Sequence, residues 1–402
     1  MKDMILSLGI ILLGGFIIGY LLSKIKIPGL VGMILFGLLI GPYCLNWIDE
    51  SILNISAYLR QIALVIILTR SGLNLDFKSL KQIGRPAIFL CFLPATFEIA
   101  GVTLASVFLL HLSVFESLLL GSVLAAVSPA VVSPRMIDLI EHKIGEEHQV
   151  PKLVLAGASV DDIYVVVLFY SFLGLVQNNV LDVKSIVMVP VSIILGILLG
   201  ILLGFLLSFV FKKLKTNLIT NVIITLALSF LCIGLENSVK QWVSISSLLS
   251  IMVMSMVLLF KNEEKAKELS TGYNALWKVF EILLFVLVGA SIDFSFAVKN
   301  GGMAFLVLLI GLGFRSIGVF LSVLCTPLSF KEKIFVFISY IPKATVQASI
   351  GGIALSLGLA CGNIILTVSV LSILITAPIG DILIDSLKKV LLKKREEEFS
   401  LE

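Results

Sequence analysis

The feature that most constrains this chain is the recurrence of long apolar runs. Thirteen follow one another, at 4–22, 28–47, 57–74, 86–111, 115–137, 151–177, 185–211, 217–235, 243–260, 276–292, 302–326, 333–357 and 362–387. A helix needs roughly 20 apolar residues to cross a bilayer. A membrane barrel strand is about 10 residues of alternating polarity, and these runs are longer and uniformly apolar. The sequence therefore predicts an all-α polytopic membrane protein with about thirteen transmembrane helices. Composition agrees: 58% of the residues are apolar and 14% are charged, with a mean hydropathy of +1.11. A soluble domain carries about 25% charged residues. Soluble enzymes, nucleic-acid binders and disordered scaffolds are excluded on this ground, and the net charge of +4 is no argument for nucleic acid.

Two simpler readings of the apolar residues fall away. The first run has only Lys2 ahead of it, offset by Asp3, and further runs follow at once, so it reads as a retained span and not a signal sequence. Cys44, Cys91, Cys232, Cys325 and Cys361 lie in or beside apolar runs without metal-type spacing, and read as small hydrophobes. Charge and turn formers mark breaks at Lys24–Pro28, Asp49–Asn54, Asp76–Arg85, Gly145–Pro151, Lys212–Asn217, Lys261–Gly272 and Asn300–Gly302.

Loop charge orients the spans. The loops after odd-numbered spans, with the C-terminal tail, hold 20 of the 30 Lys and Arg residues. The opposite side holds Lys2, Lys184, Lys240 and Lys299. Six more (Arg60, Arg70, Arg135, Lys278, Arg315 and Lys343) sit within spans or at their ends. Basic residues collect on the cytoplasmic side. The N-terminus is thus expected outside and the C-terminus in the cytoplasm, an odd number of crossings. Only residues 388–402 follow the last run and the loops are short, so the activity is expected within the membrane.

An ionisable group near the bilayer centre costs at least about 2.5–3.5 kcal/mol and marks function by default. Asp161 and Asp162 fall mid-span in Ser-Val-Asp-Asp. Two adjacent carboxylates do not both ionise cheaply in a low dielectric, so the pair suits a proton or a small cation competing for the same oxygens. The fifth span contains Ser-Pro-Ala-Val-Val-Ser-Pro-Arg, and its two prolines should open the helix around Ser128–Ser133, leaving carbonyls and the two hydroxyls for a cation. The twelfth contains Pro342, Lys343, Thr345, Gln347 and Gly351-Gly352, a second interrupted helix. Glu98 and Arg315 lie mid-span in the fourth and eleventh runs and suggest a buried pair.

Other polar residues read more blandly. Glu281, Asp381 and Asp385 read as interfacial, Arg70 as an anchor, and His111, His142 and His148 as loop or span-end residues. Gly196, Gly200 and Gly204 form a small-residue packing face.

Spans 4–6 and 11–13 share a layout: a helix with a mid-membrane charge, then an interrupted helix. Their offset of seven spans makes the triplets cross in opposite senses, the inverted-topology repeat of secondary transporters. Ala126–Arg135 followed by Ala156–Asp162, with Gly72–Asp76 upstream and Pro342–Gly352 downstream, resembles the monovalent cation/proton antiporter superfamily, and within it the Asp-Asp type sodium/proton antiporters, closest to the branch with the animal NHA exchangers. The resemblance covers nearly the whole chain.

It implies a homodimer in a bacterial-type plasma membrane, in contact with lipid, binding no nucleic acid, needing no cofactor and catalysing no covalent chemistry. It implies a dimerisation domain from residues 1–83 and 215–299, a linker helix over 181–214, an elevator-like core from 84–180 and 300–388, and a short tail over 389–402. Na⁺ or Li⁺ would exchange for H⁺ at Asp162, with Asp161 beside it and Ser128, Ser133 and Thr345 completing the site. Lys343 would compensate charge, and Glu98–Arg315 would hold the core together. Arg315 stands where electrogenic members carry a Lys. The competing readings are a K⁺/H⁺ antiporter on the same fold and a passive cation channel. An intramembrane aspartyl protease needs its two acids on separate helices.

Overall fold

The computed structural model describes residues 3–74, 84–178, 183–213, 217–239, 242 and 245–393, without the side chains of residues 159, 163, 178 and 183–190. Leu75, Asp76, Lys78, Lys81, Lys215, Lys240, Lys394 and Arg395 lie outside the described residues, as do the domain limits expected at 83, 180, 181 and 214.

Sixteen helices are present among the described residues. They are α1 (Met4–Lys24), α2 (Gly29–Ile40), α3 (Glu50–Leu73), α4 (Arg85–Leu109), α5 (Val114–Leu124), α6 (Pro129–Glu141), α7 (Val150–Asn178) and α8 (Val183–Lys213). Then come α9 (Leu218–Val239), α10 (Ser247–Lys261), α11 (Glu263–Ala290), α12 (Phe294–Ser322), α13 (Phe330–Ser339), α14 (Thr345–Ile350), α15 (Ile353–Ser356) and α16 (Gly362–Leu391).

Each of the thirteen apolar runs contains helix, but only ten spans among the described residues are long and apolar enough to cross a membrane, one of them counted across the α5–α6 break. α2 and α10 are shorter. α2 stops because Gly41-Pro42 follows it and proline does not continue a helix. The run at 333–357 is divided among α13, α14 and α15.

Three expected breaks are helical, the first being Asp49–Asn54, where Asp49 caps the start of α3 and accepts from Ser51 N at 2.9 Å. The charged stretch after Lys261 opens α11: the Asn262 side chain accepts from Lys265 N (3.3 Å), and Glu263–Lys267 (2.8 Å) and Lys265–Glu268 (2.6 Å) pair along the helix surface. α12 likewise runs through Asn300–Gly302, started by Asp293, whose carboxylate accepts from Phe296 N at 3.1 Å. Charge marks a change of environment, and here a cap turned it into a helix start. Capping boxes begin α5 (Ser113, Glu116) and α13 (Ser329, Glu332).

The helices pack in two groups. One holds α4–α7 with α12–α16, where α12 lies along α4 and α16 runs beside α12, α13 and α15. The other holds α1–α3 with α8–α11. Glycines set its close crossings: a Cβ on Gly200 would stand 2.6 Å from Ser250 O, and one on Gly37 would strike the Val286 carbonyl at 2.0 Å. The groups meet where α14 touches α3 and α11, α16 touches α2, and α7 touches α8 and α10.

Candidate functional site

The site forms where two broken helices meet. α5 ends at Leu124, and the chain runs without helix to Ser128 before α6 starts at Pro129. The opening is thus Ala125–Ser128, not Ser128–Ser133. A proline at the first helical position fits because its missing N–H is an orphan there anyway. Pro134 sits inside α6, and Ser133 lies partly exposed in that helix without a hydrogen bond to the acids. On the other strand α13 ends at Ser339 and α14 begins at Thr345. Ser128 N donates to Pro342 O across the crossing (2.8 Å), and Lys343 N donates to Thr376 Oγ1 of α16 (3.0 Å).

The carbonyls freed at the end of α5 are taken by protein donors. Leu124 O accepts from Lys343 Nζ (2.5 Å) and Gln347 Nε2 (3.3 Å). Ala126 O accepts from Gln347 Nε2 (2.8 Å), and Ala125 O from Arg315 Nη1. They lie ahead of the Ser128–Ser133 stretch whose carbonyls the sequence offered to a cation. They neutralise two buried cations, as the negative end of a half-helix is suited to do.

Charges converge on the same point. Glu98 from α4 meets Arg315 Nη1 of α12 at 2.5 Å and Lys343 Nζ at 2.7 Å. Asp161 from α7 accepts from Val127 N at 2.9 Å and from Arg315 Nη2 at 3.3 Å. All four side chains are fully buried. Two cations and two carboxylates balance there. Asp162, 5% exposed, forms no hydrogen bond or ion pair among the described residues, and its Oδ1 is buried without a partner. Asp161 Oδ1, Ser128 Oγ, Thr345 Oγ1 and Gln347 Oε1 are also buried without donors. Oxygens without donors suit a hard monovalent cation. Among the described residues no three His, Cys, Asp or Glu side chains converge in a metal-binding group.

Sequence reasoning missed three supports. Tyr340 lies under the guanidinium of Arg315, 5.4 Å from ring centroid to Cζ. Gly157, one turn before Asp161, makes room for it: a Cβ there would stand 2.0 Å from Tyr340 Oη. The only signal was the small run Ala156-Gly157-Ala158. Gln347 was visible as a polar residue in the second break, but its clamp on the first was not.

The polar residues near the C-terminal end of α16 form ion pairs. Asp381 takes a two-point bond from Arg135 of α6 (2.7 and 2.9 Å), and Lys388 pairs with Asp385 (2.8 Å) and Asp138 (3.2 Å). His148 Nδ1 is 2.9 Å from Glu332 Oε1.

Comparison with known proteins places the chain in a family. Residues 9–387 match the model of the sodium/hydrogen exchanger family, described as transmembrane. The chain is 33% identical over 382 residues to sodium/hydrogen exchanger 9B2 of Mus musculus, covering 92% of this chain and 69% of that protein. It is 34% identical over 403 residues to the Homo sapiens protein of the same name, covering 94% and 74%. Its fold matches the sodium proton antiporter MjNhaP1 of Methanocaldococcus jannaschii with a TM-score of 0.82 at 21% identity, over 96% of this chain and 97% of that one. Long apolar helices, the crossed breaks with their buried carboxylates, and relatives along nearly the whole chain lead to one assignment: this multi-pass membrane protein belongs to the sodium/hydrogen exchanger family of cation/proton antiporters.

Proposed function

We propose that the chain exchanges Na⁺ or Li⁺ for H⁺ by alternating access, with both ions competing for Asp162. The observation that carries this is the charge count at the crossing. Glu98 and Asp161 are matched by Arg315 and Lys343, and Asp162 is left over. A lone ionised carboxylate in a low-dielectric interior is costly, so it takes up a proton or a cation. Either load neutralises the site and lets it cross the apolar interior, while the empty ionised form is held back. Proton and cation then move in opposite directions.

Asp161 tunes the site through Arg315, and Ser128 and Thr345 contribute oxygens. Ser133, on the exposed side of α6, has no place in this reading. The group containing α4–α7 and α12–α16 is the moving body, and the group containing α1–α3 and α8–α11 is the dimerising frame, joined to it through α8. The shorter helices and the α13–α15 segment complete thirteen crossings, with the basic, tail-bearing face in the cytoplasm of a plasma membrane.

The test is collapse of an imposed ΔpH by added Na⁺, Li⁺ or K⁺ in proteoliposomes of the purified protein. Na⁺ and Li⁺ should collapse it and Asp162→Asn should not. Full activity of that variant, or a response to K⁺ alone, would overturn the assignment.

A further inference from the structure

One buried charge takes no part in the site. Arg60 lies in the interior of α3, ten residues past Glu50, about 15 Å along the helix. It is 6% exposed. Its Nε donates to Ser56 O at a long 3.4 Å, and its Nη1 has no acceptor. Among the described residues no carboxylate pairs with it. A guanidinium left this way inside a membrane protein calls for a physical reason.

Its surroundings supply one. The guanidinium presses on Gly352, where a Cβ would stand 2.0 Å from Nη1. Gly352 lies between the end of α14 and the start of α15, so the guanidinium stands at the seam between two short helices with no acceptor for its Nη1. α3 belongs to one packed group and α14 to the other, and this is one of the few places where they touch. It lies toward the face opposite the tail. α13 begins beside residues 389–393 at the tail face, and α16 starts at Gly362 and returns there.

We propose that Arg60 is the positioning residue that closes the passage between the two helix groups on the face away from the tail, and that its guanidinium must leave Gly352 before Asp162 is reached from that face. This rests on the alternating-access reading above. Arg60 touches no transported ion. It weights one access state over the other through a contact that exists in only one of them. The missing hydrogen bonds make the contact easy to break, and the missing Cβ lets it form. A salt bridge there would bind more tightly and slow every cycle. The uncompensated charge also repels cations while the passage is shut.

The experiment measures half-saturation by Na⁺ from each face in oriented proteoliposomes, with cation-induced thermal stabilisation of the purified protein as a readout of the site itself. Arg60→Ala and Gly352→Ala should each change the ratio of the two half-saturation values at least fivefold and leave the cation-induced stabilisation at Asp162 intact. The two changes should not add, because Arg60→Ala removes the atom that the new methyl group strikes. Ratios within twofold of the parent protein for both single variants would overturn the proposal, as would full additivity in the double variant. If the parent protein shows no exchange, the antiport reading fails by itself. The contact is then judged from Arg60→Cys in a Cys44→Ser/Cys325→Ser background: labelling by a small impermeant thiol reagent from the face away from the tail should depend on Na⁺ or Li⁺, and labelling indifferent to both sinks it.

Discussion

Two clusters in this molecule match in their carboxylates and their Lys and Arg side chains. At the crossing stand Glu98, Asp161 and Asp162 with Arg315 and Lys343. Near the tail stand Asp138, Asp381 and Asp385 with Arg135 and Lys388. Each has three acids and two Lys or Arg side chains, and the second also has His142 Nδ1 3.3 Å from Asp138 Oδ1. The first is buried, with four side chains at 0% and Asp162 at 5% exposure. The acids, Arg135 and Lys388 of the second have side chains 12–41% exposed. In water and salt an odd carboxylate is screened within about 10 Å. In a low-dielectric interior it has to be neutralised, by a proton or by a cation. Depth, not composition, separates the two clusters.

That contrast can be broken by experiment. The largest effect is expected from Asp162→Asn, which removes the odd carboxylate and should lower exchange by about a hundredfold or more, some 2.7 kcal/mol or above on the usual conversion. Asp385→Asn, its counterpart near the tail, should change the rate less than about threefold. Equal losses in the proteoliposome assay would erase the distinction. Next is Arg315→Gln, which strands Glu98 and Asp161 with one cation. Breaking a buried pair from one side costs about 3–5 kcal/mol, read as a sharp fall in unfolding temperature in detergent. Arg135→Gln should cost about 1 kcal/mol or less and matter less in high salt. A tail-side loss as large as that at Arg315 would contradict the comparison.

Smaller still is the link between His148 and Glu332. Burial alone would push the Glu332 carboxyl up, but hydrogen bonds from His148 and Ser329 outweigh it and hold it below the ordinary carboxylate range. A depressed carboxyl stabilises the fold above its unfolded value and loses that contribution as pH falls through the folded one. Glu332→Gln should therefore lower the unfolding temperature modestly at pH 7, with the difference fading below about pH 4. A gap that widens in acid would refute the sign. The last expected effect is none: one odd carboxylate trades one cation for one proton, so an imposed membrane potential should leave the rate unchanged. A rate that follows the potential would show a second titrating group.

Much of the site could be read before the fold because charge stands out against apolar sequence. Asp161, Asp162, Glu98, Arg315 and Lys343 all come to the crossing. What stayed hidden depends on partners distant in sequence or on residues without charge. Tyr340 and Gly157 look like ordinary membrane residues until one fills the space the other leaves. Prolines located the first break but set its position wrongly, since Pro129 begins a helix and only Pro134 lies within one. The charge run after Lys261 looked like a loop because polarity alone does not distinguish a loop from a capped helix start. Arg60 looked like one more span residue, and its isolation shows only in three dimensions.

The capping of Leu124, Ala125 and Ala126 has a consequence for throughput. A conduction filter passes ions in single file along backbone carbonyls, each ion nudging the next. Here the comparable carbonyls are occupied by an ammonium, a guanidinium and an amide. On the alternating-access reading, a cation arriving at the crossing would find side-chain oxygens at one berth and no queue behind it. A protein built this way would work as a ferry, its flux limited by how often the berth changes banks.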